Sequence, residues 1–169
     1  MKQLPTRSIA IVGYSRTGIT RRMCGLLSDA LTPERAHYVE SFKMYEGAFG
    51  FLRGMWDIMR KREPAVYPPK PDIDLSRYDL VIVAGPVWGG RIATPLESFL
   101  KQYGQGAKQT ALLVTQGRQE PYTEVFDQLD GLLGVKRSFE LAACSVEADV
   151  MEAAVKEFEA KLLEAAEKN

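Results

Sequence analysis

Eleven residues from Leu80 to Gly90, Leu-Val-Ile-Val-Ala-Gly-Pro-Val-Trp-Gly-Gly, form the longest stretch of the chain without a charged side chain. The first five, Leu80 to Ala84, are continuously apolar and end at Gly85-Pro86. A strand wetted on one side alternates apolar with polar residues, so this run reads as a strand buried on both faces. Helices crossing between parallel strands are what cover a sheet in that way.

The remaining segments fit that arrangement. Ser8 to Val12 is a β-branched apolar run, followed by Gly13-Tyr-Ser-Arg-Thr-Gly18 and a helical pattern from Ile19 to Leu31. His37 to Phe42, Thr110 to Thr115 and Phe139 to Cys144 are further candidate strands. Thr94-Pro95-Leu96-Glu97 predicts a helix start, with Thr as cap, Pro in the first turn and Glu closing a capping box. From Pro121 another helix is expected, with Val125, Phe126, Leu129, Leu132 and Leu133 on one face and Gly134 as its stop. Val150, Met151, Ala154, Val155, Phe158 and Leu162 recur at helical spacing, with acids early and Lys168 at the end, as the helix dipole prefers. The alternation predicts an α/β chain with a doubly wound, open, five-stranded parallel sheet and helices on both faces.

Residues 43–79 are more than one crossover needs. Within them Phe49, Leu52, Met55, Trp56 and Met59 repeat at near-helical spacing, which predicts a helix packing on the sheet; a wall of a ligand pocket or a dimer contact is the alternative for Phe49 or Trp56. Pro64 to Pro71 holds four prolines and should be extended.

Composition excludes several function classes. At 169 residues the chain is expected to form one domain over 1–169. No run approaches the ~20 apolar residues of a membrane span, and Ile9 to Val12 is too short for a signal-peptide core, so the cytosol is the expected compartment. Lys plus Arg and Asp plus Glu both number 22, which argues against a dedicated nucleic-acid binder. The balance hides an asymmetry: residues 1–63 carry 11 basic and 6 acidic side chains, a net of +5, and residues 64–169 a net of −5. A single histidine, His37, and two isolated cysteines, Cys24 and Cys144, argue against a metal site, and both thiols are expected to be buried.

In a doubly wound sheet the ligand sits beyond the carboxyl ends of the strands, where strand order reverses. Three loops lie there. Ser15, Arg16, Thr17, Gly18, Ile19 and Thr20 place hydroxyls and backbone N–H groups at a helix N-terminus, which suits a phosphate. The loop is neither a Walker loop nor Gly-x-Gly-x-x-Gly. Pro86, Val87, Trp88, Gly89 and Gly90 put a flat aromatic ring between glycines, and Thr115, Gln116 and Gly117, with Tyr122, add polar backbone and a second aromatic. A phosphate at one loop and a planar ring between the others describes a mononucleotide.

Ser15-Arg-Thr-Gly-Ile-Thr20 resembles the Ser/Thr-x-Thr-Gly-Asn-Thr phosphate loop of the flavodoxin-like FMN family, and Tyr78 to Gly90 followed by Pro95 is similar to its third-strand signature. The resemblance implies strand order 2-1-3-4-5, FMN as cofactor and redox chemistry carried by the flavin, with no catalytic acid or base from the protein. It also implies that Trp88 and Tyr122 border the isoalloxazine, with Gly89 or Gly90 presenting backbone to N5. Flavodoxins that shuttle electrons are usually strongly acidic, so zero net charge favours an NAD(P)H-dependent flavin or quinone reductase. The implied partner is a redox protein or a quinone-like acceptor, and a homodimer stays open. Ile19 departs from the family's Asn and keeps alive the alternative of a non-enzymatic interaction module that has lost its flavin. A phosphoacceptor receiver lacks its strand-end acids here, and a serine hydrolase would need Gly where Thr17 stands.

Overall fold

The computed structural model describes residues 8–145 and 148–167; Lys168 lies outside the described residues. Five parallel strands make the sheet: β1 (Ile9–Gly13), β2 (Arg35–Tyr38), β3 (Leu80–Trp88), β5 (Thr110–Gln116) and β6 (Phe139–Cys144). Their spatial order is β2-β1-β3-β5-β6. The two-residue β4 (Arg91–Ile92) pairs antiparallel with the end of β3, so setting it aside leaves the expected 2-1-3-4-5.

Helices α1 (Ile19–Leu31), α3 (Thr94–Tyr103), α4 (Thr123–Leu133) and α5 (Ala148–Glu167) follow their strands, and α2 (Gly47–Met59) lies in the long segment before β3. Side chains alternate across β3, which divides the core in two. Val81 and Val83 pack with Phe99 of α3 and Phe126 of α4, while Leu80 and Ile82 pack with Met23 and Leu27 of α1 and Phe158 of α5. Gly134 ends α4 in the left-handed conformation, as its position suggested. Cys24 is buried, and burial pushes its thiol up to about 12, but Cys144 is only half-buried, against expectation.

Four local expectations are corrected. The second strand stops at Tyr38 instead of running through Phe42, because Ser41 bridges Val66 and Phe42 N donates to Ala65 O at 3.1 Å, drawing the chain away from the sheet. The proline-rich segment beginning at Pro64 is what supplies that partner. Ala93, not Thr94, caps α3 and no capping box forms; Glu97 instead faces Arg91 at 3.4 Å and Lys101 at 3.3 Å. Val150 of α5, expected on the buried face, is exposed.

The fourth correction concerns α2, which exists but does not pack on the sheet through its apolar stripe. Its buried residues are Gly50, Gly54 and Asp57. A Cβ at Gly50 would fall 2.0 Å from the Tyr45 carbonyl carbon, and one at Gly54 would fall 3.1 Å from the Trp88 ring. At Gly54 the helix therefore approaches Trp88 too closely for a side chain, Asp57 is turned inward beside it, and Phe49, Leu52, Trp56 and Met59 are turned outward.

Candidate functional site

The loop after β1 is shaped by its own polar groups. Tyr14 N donates to Ala84 O at 3.0 Å, which ties the loop to β3, and Gly18 N donates to Ser15 Oγ at 3.0 Å. Gly18 has φ +90°, a left-handed conformation that a β-carbon would strain, and it starts α1 directly. Among the described residues no side chain caps α1 and no acid lies in its first turn, so the helix end keeps its partial positive charge; Glu40 and Glu46 line the cavity it faces. Thr17 and Gly18 are exposed and Arg16 is half-buried.

Ser15, Arg16, Thr17 and Gly18 line a cavity of about 590 Å³ with Arg21, Tyr38, Lys43 and Tyr45. That volume lies within the ~300–1,000 Å³ of small-molecule sites. Arg21 stacks on the Tyr38 ring at 4.4 Å, and Arg16 reaches across to α2, 5.8 Å above the Phe51 ring. Ile19 opens α1 at the surface. Thr20 is buried, and its hydroxyl shares a 2.7 Å hydrogen bond with that of Thr115, joining α1 to β5 beneath the loop.

In place of the loop expected over Gly85 to Gly90, β3 continues through Trp88 and turns into a hairpin. Trp88 pairs with Arg91, so Gly89 and Gly90 are the two turn residues, with φ +55° and +80°. Pro86 and Val87 lie in β3, and Pro86 O accepts from Ala93 N at 3.0 Å. Trp88 is half-buried, edge-on to Tyr14 at 5.8 Å and tilted against Tyr45 at 5.3 Å. Val87, Trp88, Gly89 and Arg16 share a largely apolar cleft of about 170 Å³ closed by Gly50, Phe51, Gly54 and Met55 of α2.

On the third loop, Gln116 is buried and turned inward. Its Nε2 donates to Arg118 O at 2.9 Å and Glu120 O at 2.8 Å, and its Oε1 accepts from Tyr122 N at 3.3 Å. Gln116 thus braces the loop, while Gly117 is exposed. Tyr122 stands beside Gly90, and Arg118 covers its ring at 3.5 Å.

The expected site residues therefore fall into three neighbouring groups: the phosphate-type loop on the large cavity, Arg16 with the Trp88 hairpin in the small cleft, and Tyr122 against Gly90. Tyr14, Arg21, Tyr38, Lys43, Tyr45 and Asp57 are not among the expected site residues. Asp57 Oδ2 accepts from Tyr45 Oη at 2.7 Å, and both its oxygens take the Lys43 ammonium at 3.2 Å. Burial, then the Asp57 hydrogen bond, pushes the Tyr45 phenol well above its ordinary range. Only Tyr14 lies inside a motif; Arg21 of α1 meets Tyr38 of β2, and Lys43 and Tyr45 meet Asp57 of α2.

No family model matches the chain, and no curated protein sequence does. Solved structures do. A flavoprotein from Lactobacillus acidophilus in complex with FMN aligns with TM-score 0.67 at 19% identity, covering 90% of this chain and 99% of that one. The flavodoxin, WrbA-like protein of Agrobacterium tumefaciens aligns with TM-score 0.57 at 13% identity, over 96% and 99%. A flavodoxin from the domain Archaea gives 0.52 at 13%, over 94% and 99%. With the strand order β2-β1-β3-β5-β6 and helices on both faces of the sheet, these likenesses show that the chain has the flavodoxin-like fold.

Proposed function

We infer that the chain binds FMN and serves as a redox flavoprotein, with NAD(P)H-dependent reduction of a flavin or a quinone-like acceptor as its role. The observation that carries this reading is the uncapped, acid-free N-terminus of α1, opening with Ser15, Thr17, Arg16 and Arg21 onto a cavity of about 590 Å³. Such an end accepts a phosphate dianion through backbone N–H groups and helix dipole. The FMN complex of the Lactobacillus flavoprotein supports the choice of ligand.

These residues fit FMN. Ser15, Thr17 and the first-turn N–H groups of α1 would hold the phosphate, and Arg16 and Arg21 would offset its charge. Trp88 and Tyr122 supply aromatic faces near the carboxyl ends of β3 and β5. When bound, FMN supplies the electron chemistry, and the chain's contribution is to bind it, orient it and limit its contact with water. Ser15 is already fixed by its bond to Gly18 N, so the loop loses little freedom on binding. The 170 Å³ cleft is too small for the ring, so α2 must yield if the ring is to lie flat on Trp88.

The visible spectrum of the purified protein tests the reading, followed by titration of FMN, FAD and riboflavin. A yellow protein that releases FMN, or that takes up FMN at micromolar concentration, is expected. A colourless protein indifferent to added FMN overturns it.

A further inference from the structure

The outward face of α2 is unlike the rest of the surface. Phe49, Leu52, Trp56 and Met59 fall within an arc of about 80° on a helix turning ~100° per residue, and they are 87%, 63%, 47% and 72% exposed. Phe42, Met44 and Tyr67, from the bridged segment beside the helix, are exposed too, with Phe42 stacked on Tyr67 at 3.8 Å. Phe42, Met44, Leu52 and Trp56 border one shallow open groove with Arg53 and Arg62. A chain with a buried core elsewhere does not ordinarily leave so continuous an apolar patch in water.

The charges around the patch indicate what covers it. Residues 42–63 hold Lys43, Arg53, Arg60, Lys61 and Arg62 against Glu46, Asp57 and Glu63. Asp57 is occupied by Lys43, and Glu63 by Lys101. Among the described residues, Arg53, Arg60, Lys61 and Arg62 have no acidic partner, and Arg60 lies over the Trp56 ring at 4.5 Å. Phe, Leu, Trp and Met side chains edged by unpaired arginine and lysine are the chemistry of a helix lying in the headgroup layer of a bilayer, its rings in the acyl boundary and its cations on anionic phosphates.

We propose that α2 docks this protein, reversibly and without spanning, on an anionic phospholipid surface. Among the described residues no helix is long and apolar enough to cross a membrane. The surface stands independently of the flavin reading, but the two are adjacent: Gly54 sets the opposite side of the same helix against Trp88. Docking would hold Trp88 about one helix diameter, ~10 Å, from the bilayer.

The test is co-sedimentation of the full chain with vesicles of phosphatidylcholine alone and of phosphatidylcholine with phosphatidylglycerol, read without reference to flavin. The expected result is binding to the anionic vesicles only, falling as salt is raised. Phe49→Ser with Met59→Ser should abolish it. Arg53→Gln with Arg62→Gln should weaken it roughly thirtyfold. All four side chains are exposed, so thermal melting should hold and exclude misfolding as the cause. Failure of the parent chain to bind anionic vesicles, or equal binding by the variants, overturns the proposal. So does a lipid-free dimer in sedimentation velocity that the Phe49 and Met59 changes dissociate, since a second copy would then cover the face. Vesicle binding by a protein that takes up no FMN would leave this proposal standing and the flavin reading refuted.

Discussion

Gly54 of α2 lies against the six-membered ring of Trp88 so closely that a β-carbon there would sit 3.1 Å from ring atom Cζ3. This contact seats a helix over the end of β3 and turns the helix's apolar stripe to the outside.

Crowding at that contact should be costly. Gly54→Val is expected to lower stability by about 1–3 kcal/mol and to alter Trp88 fluorescence. Gly25 and Gly131, in α1 and α4, have open space where a β-carbon would go. Alanine at either should instead raise stability by ~0.5–1 kcal/mol, from helix propensity alone. Urea unfolding of the three variants checks both signs.

Asp57 anchors the same helix through Tyr45 and Lys43. Removing the Tyr45 hydroxyl leaves a buried carboxylate short of one charge-assisted bond, so Tyr45→Phe should cost about 1.5–3 kcal/mol. Asp57→Asn should cost a similar amount, and the double variant less than the sum, because the two share one interaction. A double-mutant cycle in urea reads the coupling; strict additivity would show that the bond does not hold α2.

His37 should make the fold acid-sensitive. Its ring stacks on Phe99 with centroids 5.0 Å apart, and among the described residues its buried Nε2 has no hydrogen-bond partner. Burial, then Arg35, holds its pKa below the ordinary histidine value. A depressed pKa means that the unfolded chain takes up the proton first as pH falls. The stability is therefore complete above about pH 7 and declines towards pH 5. His37→Phe should flatten that slope in Tm measured against pH.

Flavin binding should be felt in α2. The cleft at Trp88 is closed by Gly50, Phe51, Gly54 and Met55. Added FMN is therefore expected to speed hydrogen exchange across 47–59 while slowing it at 14–20. Trp88→Ala should lower both FMN affinity and Tm, because the ring also packs on Tyr14 and Tyr45. Trp88→Phe should retain most of the affinity. If Trp88→Ala melts early yet binds FMN as the parent does, Trp88 is a packing residue alone.

Thr17→Ala should weaken FMN more than riboflavin, since only FMN carries the phosphate. Thr20→Val is expected to act differently, because its hydroxyl is held by Thr115. It should cost about 1 kcal/mol of stability, with a smaller difference between the two ligands. Isothermal titration with both ligands separates the pair.

What the residues determined alone was the existence and order of the main elements, which short-range pattern sets. The unbroken apolar run of β3 required a sheet covered on both sides. The β-branched run ending at Gly13, followed by Ser15 to Gly18 and the periodic residues of α1, specified a strand, a loop and a helix with its start at Ile19. Gly134 stopped α4 where its lack of a side chain allowed. Tertiary structure alone decided which side of α2 faces inward. Periodicity marks a stripe of Phe49, Leu52, Trp56 and Met59 but carries no information on the space available beneath it. Trp88, distant in sequence, leaves room only for Gly54, and the inward Asp57 is satisfied by Tyr45 and Lys43. The same is true of the early end of β2, settled by a partner elsewhere in the chain, Val66 opposite Ser41. Local pattern fixes which elements form; the fit of distant surfaces fixes how they face one another.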